Sequence, residues 1–166
     1  MDFNKLIPDF GSIGKTEWNK PCFDTKDKFH IAGLACAALL VIFCFTPWFT
    51  FTATLGPVSE SVSRLGISLW YGIFAFLGGA VALYGMLYKN YQFAFWGAVI
   101  ALLMAFIGLF PVPSITDDGQ TLDAYAVEKL LKEGKEIYSS SRVGAILALI
   151  ASAGVGACAF LKINEK

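Results

Sequence analysis

Four long stretches of the chain contain no Asp, Glu, Lys or Arg, and this feature limits the possible folds more than any other. They cover residues 29–46, 67–88, 91–110 and 143–161. A helix needs about 20 mostly apolar residues to cross the roughly 30 Å hydrocarbon core of a membrane. Because lipid offers the backbone no hydrogen-bond partners, such a stretch must satisfy its own amides as a helix. The sequence therefore predicts four membrane-spanning helices.

The composition agrees with this prediction. Of the 166 residues, 56% are hydrophobic and 16% are charged, whereas a soluble domain is about 45–50% apolar and about 25% charged. The predicted fold class is an all-α integral membrane protein, a four-transmembrane-helix bundle. Residues 1–28 form the predicted N-terminal tail, residues 29–161 the membrane domain and residues 162–166 the C-terminus. The predicted external loops are residues 47–66 and 111–142.

The distribution of basic residues predicts the orientation. Eight of the 13 lie in the tail, in the turn between the second and third spans, or at the C-terminus. The positive-inside rule then places both termini in the cytoplasm. The first apolar run begins only near residue 29, after a tail with five acidic residues, so it is predicted to be retained as a span rather than removed as a signal peptide. A bacterial inner membrane is the default location, and the balanced net charge argues against nucleic acid as a partner.

Aromatic residues and prolines mark the predicted ends of the spans. Pro47 follows the first span, and Pro111 and Pro113 follow the third. Proline disfavours helix in the residue before it, so helices tend to end there. Tryptophan and tyrosine are enriched at membrane interfaces. The sequence therefore predicts a set of interfacial anchors, namely Trp48, Trp70, Tyr71, Tyr88 and Trp96.

The second external loop contains the segment LDAYAVEKLLKEGKEIY, which has helical periodicity. Leu122, Ala126, Leu130 and Leu131 fall on one face, and the charged residues fall largely away from it. This pattern predicts a short amphipathic helix on the membrane surface or against a partner, ending near Gly134. In the simpler interpretation, the helix merely caps the bundle.

Small residues recur at helical spacing in three of the spans, and the second contains Ala75 with Gly79 and Gly78 with Ala82. Helices in lipid associate partly through close packing of small residues. The predicted helix-packing positions are Ala94, Ala98, Ala101, Ala105 and Gly108 in the third span, and Gly144, Ala148, Ser152 and Gly156 in the fourth. These seams fit either a compact bundle or a surface left for a partner or another copy of the chain.

The sequence offers few groups for chemistry. Ion-coupled transport usually needs an ionisable residue within the membrane, and the spans contain none except His30 at the edge of the first. The four cysteines form no CxxC motif, and one His with scattered Cys makes a weak metal site. The segment GSIGKT at residues 11–16 has the end of a phosphate loop but lacks its first glycine. We therefore expect no catalytic residues, no cofactor and no metal.

Two short segments resemble the claudin-like four-span proteins. Those proteins combine a first-loop tryptophan with a Gly-Leu-Trp motif and two cysteines. In this chain Trp48 and GISLW at residues 66–70 are similar to the aromatic part of that pattern, over about 25 residues. The loop contains no cysteine pair, and the second loop is the longer one. The resemblance implies four spans with cytoplasmic termini.

These features predict a non-catalytic integral membrane protein that acts as a small subunit, accessory protein or scaffold of a larger membrane assembly. The expected partners are the lipid bilayer and either another protein or further copies of the chain. One alternative is an oligomeric channel or facilitator for a small solute, with a pore lined by Gly, Ser and Thr. A weaker alternative is an interfacial enzyme acting on lipid, for which Glu60, Arg64 and Asp117 are the candidate polar groups.

Overall fold

The computed structural model describes residue 21 and residues 26–55, 58–110, 115–117, 120–122 and 138–165. In this part of the chain, four α-helices account for most of the structure. They are α1 (Lys28–Phe43), α2 (Trp70–Leu87), α3 (Tyr91–Ile107) and α4 (Val143–Glu165). The fold is mostly helical, as the sequence predicts.

Side-chain caps explain where two of the helices begin. The Asp27 carboxylate accepts hydrogen bonds from the amides of Phe29 (3.1 Å) and His30 (3.2 Å), so it caps α1. Asn90 caps α3 in the same way. These oxygens satisfy amides that have no partner within the helix. Lys89 lies between α2 and α3 with a φ of 55°, and this left-handed residue lets the chain reverse within a short turn.

Each helix packs against two others, in the order α1, α2, α3, α4 and back to α1. Two clusters of buried residues fill the space between them. One includes Leu40, Ala75 and Ala101, and the other includes Met86, Ala94 and Val155. The helices therefore enclose two core clusters in which alanine is the most frequent residue.

The strands form two small sheets, which an all-α class does not include. β1 (Pro47–Leu55) pairs with β2 (Val58–Leu65) on one side and with β5 (Tyr138–Ser141) on the other, and both pairings are antiparallel. β3 (Ile115–Asp117) and β4 (Gln120–Leu122) form a separate hairpin. The sequence-based fold class is corrected in this respect, because residues 47–65 form a β-hairpin to which residues 138–141 add a third strand.

The three-stranded sheet lies at one end of the helices. We call this end, where β1 follows α1 and β5 precedes α4, the sheet end. The other end contains Asp27 and Lys162, and we call it the termini end. The predicted amphipathic segment begins at Leu122, which the structure places as the last residue of β4. Its following positions up to Gly134, and most of the N-terminal tail, lie outside the described residues.

Candidate functional site

The outward surface of the helices consists largely of big apolar side chains. α2 and α4 are long and apolar enough to cross a membrane, and α1 and α3 are shorter apolar helices. Exposed hydrophobic residues occur on all four, among them Ile31, Leu39, Ile42, Ile73, Phe74, Leu77, Val81, Ile100, Leu103, Phe106, Ile146, Ile150 and Leu161. A soluble monomer rarely exposes large contiguous apolar patches. This surface is suited to contact with lipid or with another apolar surface.

The predicted packing positions of the third span all face inward. Ala94, Ala98, Ala101 and Ala105 are buried in the core, and Gly108 lies against Trp48 and Tyr71. The tightest contact between α2 and α3 also involves three glycines, Gly78, Gly85 and Gly97. A methyl group on any of them would come within 3.0 Å of backbone atoms of the other helix. Only glycine therefore allows the two backbones to lie so close together.

The packing positions predicted in the fourth span divide into two kinds. Gly144, Ala148 and Ser152 are buried, and a methyl group on Gly144 would collide with the Pro47 carbonyl oxygen at the sheet end. Gly156 is only partly buried, and its nearest neighbour is the Ala98 Cβ at 3.8 Å. The first three positions thus require small residues, whereas Gly156 has room for a methyl group.

At two places in the contact between α1 and α4, a glycine of one helix lies close to a cysteine of the other. A Cβ on Gly33 would lie 3.1 Å from the Cys158 Cβ, and a Cβ on Gly154 would lie 3.0 Å from the Cys36 Sγ. Both cysteines are half-buried free thiols. Cys36 fills the space that Gly154 leaves open, and Cys158 lies beside Gly33, where the Met86 side chain of α2 is the nearest neighbour. Both cysteines act as packing residues here.

The predicted interfacial anchors occupy two different environments. Trp48 is 1% exposed and its ring stacks on the buried Tyr71 at 6.0 Å between centroids. The Trp48 Nε1 donates a hydrogen bond to the carbonyl of Phe43, the last residue of α1, at 2.8 Å. Trp70, in contrast, is 59% exposed, and Trp96 is also exposed. Trp48 and Tyr71 join the sheet to the helices, whereas Trp70 and Trp96 face outward.

Tyr88, the fifth predicted anchor, lies at the termini end of α2. It is half-buried, and its ring packs at a tilt on Tyr84, with 4.5 Å between the ring centroids. This places it next to the short turn into α3.

Arg142 is the most unusual polar residue of the sheet end. It immediately precedes α4, and its guanidinium lies over the ring of Phe49, 5.8 Å from the ring centroid. Phe49 is 2% exposed. The Nη1 of Arg142 is buried and has no hydrogen-bond partner among the described residues. In the sequence, Arg142 is only one of the basic residues of the predicted second external loop.

An ion pair connects the first and last helices at the termini end. The Lys162 Nζ lies 2.7 Å from the Asp27 Oδ2, contacts Glu165, and lies over the ring of Phe29. The hydrogen bond from Lys162, with two further bonds from backbone amides, holds the pKa of the Asp27 carboxyl below its ordinary value although partial burial opposes the shift. These residues form one group of interacting charges at the termini end.

Each buried polar side chain of the helices has a structural partner. His30 is buried, and its Nδ1 lies 3.3 Å from the Tyr91 hydroxyl. The side-chain Oδ1 of Asn90 accepts a hydrogen bond from the Phe93 amide, and the Ser152 hydroxyl donates one to the Leu149 carbonyl. The part of the chain that the structure describes contains no group of three or more His, Cys, Asp or Glu residues that could hold a metal.

Comparison of the chain with protein-family models, with curated proteins and with solved structures finds no match. Its function is therefore argued from its own residues.

Proposed function

We propose that the protein is a non-catalytic integral membrane protein with four spans and both termini in the cytoplasm. In this proposal it is a small subunit or scaffold of a larger assembly in the inner membrane of a bacterium. The helices α1 to α4 are the spans, and the three-stranded sheet lies outside the cell membrane at the outer interface.

The membrane placement rests on the distribution of side-chain size. Small residues lie between the helices and large apolar residues face outward, which is the reverse of the usual arrangement in a soluble protein. The contact between α2 and α3 consists of glycine and alanine, and the outward faces of the same helices carry Ile, Leu, Phe and Trp. In water, large apolar side chains are buried because their burial is worth about 1.5–3 kcal/mol each. In lipid this gain vanishes, and helices associate through small residues that let their backbones approach. The distribution in this chain follows the second rule.

The role of a subunit is supported by how the polar groups are used. His30, Asn90 and Ser152 are the buried polar residues in or directly before the described helices, and each has a hydrogen-bond partner within the protein. An enzyme or an ion-coupled transporter needs polar groups that face a substrate or a pathway. The core between the helices is instead filled by packed alanine, leucine and methionine side chains.

The placement is tested by extraction and by labelling. We expect the full-length protein to stay in the pellet when membranes are washed with alkaline carbonate. We also expect a cysteine introduced at Ser63 on β2 to react with an impermeant maleimide from outside intact cells, and one introduced at Asn164 to react only after lysis. Release by carbonate, or labelling of Asn164→Cys from outside, would contradict the placement.

The subunit role is tested by isolating the protein from native membranes in a mild detergent and weighing the intact complex by native mass spectrometry. We expect a reproducible partner at fixed stoichiometry. A discrete homo-oligomer without a partner would instead favour the oligomeric channel, and solute flux into vesicles that contain only this protein would then decide. A monomer without a partner would contradict the subunit role.

A further inference from the structure

The starting point is the environment of Arg142. Its backbone carbonyl accepts from the Ile146 amide at 3.2 Å, so the residue is held at the first turn of α4. Its guanidinium is placed over the buried ring of Phe49. The side chain therefore lies between the sheet and the helix ends, rather than extending freely into water.

The burial of one guanidinium nitrogen makes this position costly. A buried donor without a partner typically costs about 1–3 kcal/mol, and more for a charged group. Arginine does not escape the cost by losing its proton, because its guanidinium stays charged in proteins. The Nη1 has no partner among the described residues, and the residue as a whole is only partly buried. An anion that accepted a hydrogen bond from this nitrogen would remove the cost.

A second arginine lies on the same side of the sheet. The register of β1 and β2 places Arg64 opposite Phe49. Side chains of directly opposed residues in an antiparallel pair leave the same face of the sheet. Phe49 is thus flanked by Arg64 from the neighbouring strand and by Arg142 from the start of α4. The N-terminus of α4 adds a partial positive charge at this position.

We propose that Arg142, with Arg64 beside it, binds a phosphate group at the outer interface of the membrane. The planar guanidinium fits phosphate with paired hydrogen bonds. Partial removal of water from Arg142 strengthens its attraction to a counter-charge. Two sources can supply the same group, the headgroup of a phospholipid or a soluble phosphate. This inference uses the membrane placement proposed above, which puts the sheet end at the level of the headgroups.

The experiment measures the melting temperature of the full-length protein in a maltoside detergent, which contains no phosphate. Phosphatidylglycerol, phosphatidylcholine or inorganic phosphate is then added separately. We expect at least one of them to raise the melting temperature of the wild type, by about 5–10 °C at roughly 100 times its Kd. We expect this shift to be lost in Arg142→Gln and partly kept in Arg142→Lys, because lysine retains the charge but not the paired donors.

The matched control is Lys28→Gln, which removes one exposed positive charge at the termini end and should keep the full shift. A shift with lipid but not with inorganic phosphate assigns the site to a lipid headgroup, and a shift with all three assigns it to phosphate in general. The inference is overturned if no compound shifts the wild type, or if Arg142→Gln shifts as much as the wild type.

If Arg142→Gln does not fold, Arg142→Lys and Arg64→Gln give the comparison, and an undiminished shift in both overturns the inference. Carbonate extraction of the wild type tests the membrane placement independently. A protein that remains in the membrane but shows no shift loses only the phosphate site, whereas a released protein loses the placement.

Discussion

Replacing Gly97 by alanine tests the close contact between α2 and α3. A methyl group at this position would lie 2.7 Å from the Ala82 nitrogen and 2.7 Å from the Gly78 carbonyl oxygen. Both are backbone atoms, so no side-chain rotation relieves the collision. The two helices must move apart by about 0.7 Å to reach the ordinary contact distance of 3.4 Å.

The expected magnitude follows from two opposing effects. Overpacking of a well-packed core costs about 1–3 kcal/mol. Alanine is favoured over glycine within a helix by about 1 kcal/mol. We therefore expect a net loss of up to about 2 kcal/mol in the free energy of unfolding. For a chain of this length, each 1 kcal/mol lowers the melting temperature by about 2–4 °C.

The assay is thermal unfolding in a mild detergent, with Gly156→Ala as the matched control. Gly156 also lies within a helix, but a methyl group there meets only the Ala98 Cβ at 3.8 Å. This variant should match the wild type or exceed it by up to about 1 kcal/mol, because only the helix preference changes. The reasoning is refuted if Gly97→Ala is as stable as Gly156→Ala.

Three further predictions concern other parts of the fold. The pKa of Asp27 is lowered in the folded protein. The stabilisation from its ion pair with Lys162 should therefore be complete above about pH 4 and be lost as the pH falls through the pKa of the folded state. Urea unfolding at a series of pH values should show this decline in the wild type but not in Asp27→Asn. Trp48→Ala should lower the free energy of unfolding by about 3–5 kcal/mol, and Trp48→Phe by less, in denaturant titrations; equal losses would mean that ring packing is unimportant. Ala101→Leu and Ser152→Leu should disrupt folding or assembly, because both sites are fully buried; wild-type stability and oligomer size in both would contradict the packing argument.

The helices were predictable because their signal is local. A run of about 20 residues without charge is visible in any window of that length, and the structure places helices within or close to each predicted stretch. Their ends were less certain. Pro47 was taken to end the first helix, but α1 ends at Phe43, and Pro47 is instead the first residue of β1. Proline fits there because it stands at the start of a strand, where a missing N–H is tolerated.

The sheet and the environment of Arg142 were not predictable, because they depend on distant parts of the chain. β5 follows β1 by more than 80 residues and joins it only when α4 packs beside α1. Trp48 has the sequence context of an interfacial anchor, yet it is buried because Gly66 and Gly108 leave space for its ring. No local pattern contains this information, since each contact joins segments that are separate in the sequence.

The pairing of the first helix with the last has a consequence for how the protein is made. α1 packs more extensively against α4 than against α2, and roughly 100 residues separate α1 from α4. At a synthesis rate of about 5–20 residues per second, α1 waits on the order of 5–20 s for its main neighbour. β5 immediately precedes α4, so the sheet waits for the same event. A nascent chain that stops before residue 138 therefore leaves both the side of α1 that faces α4 and one edge of β1 uncovered. The arrival of residues 138–165 completes both layers of the fold in one step.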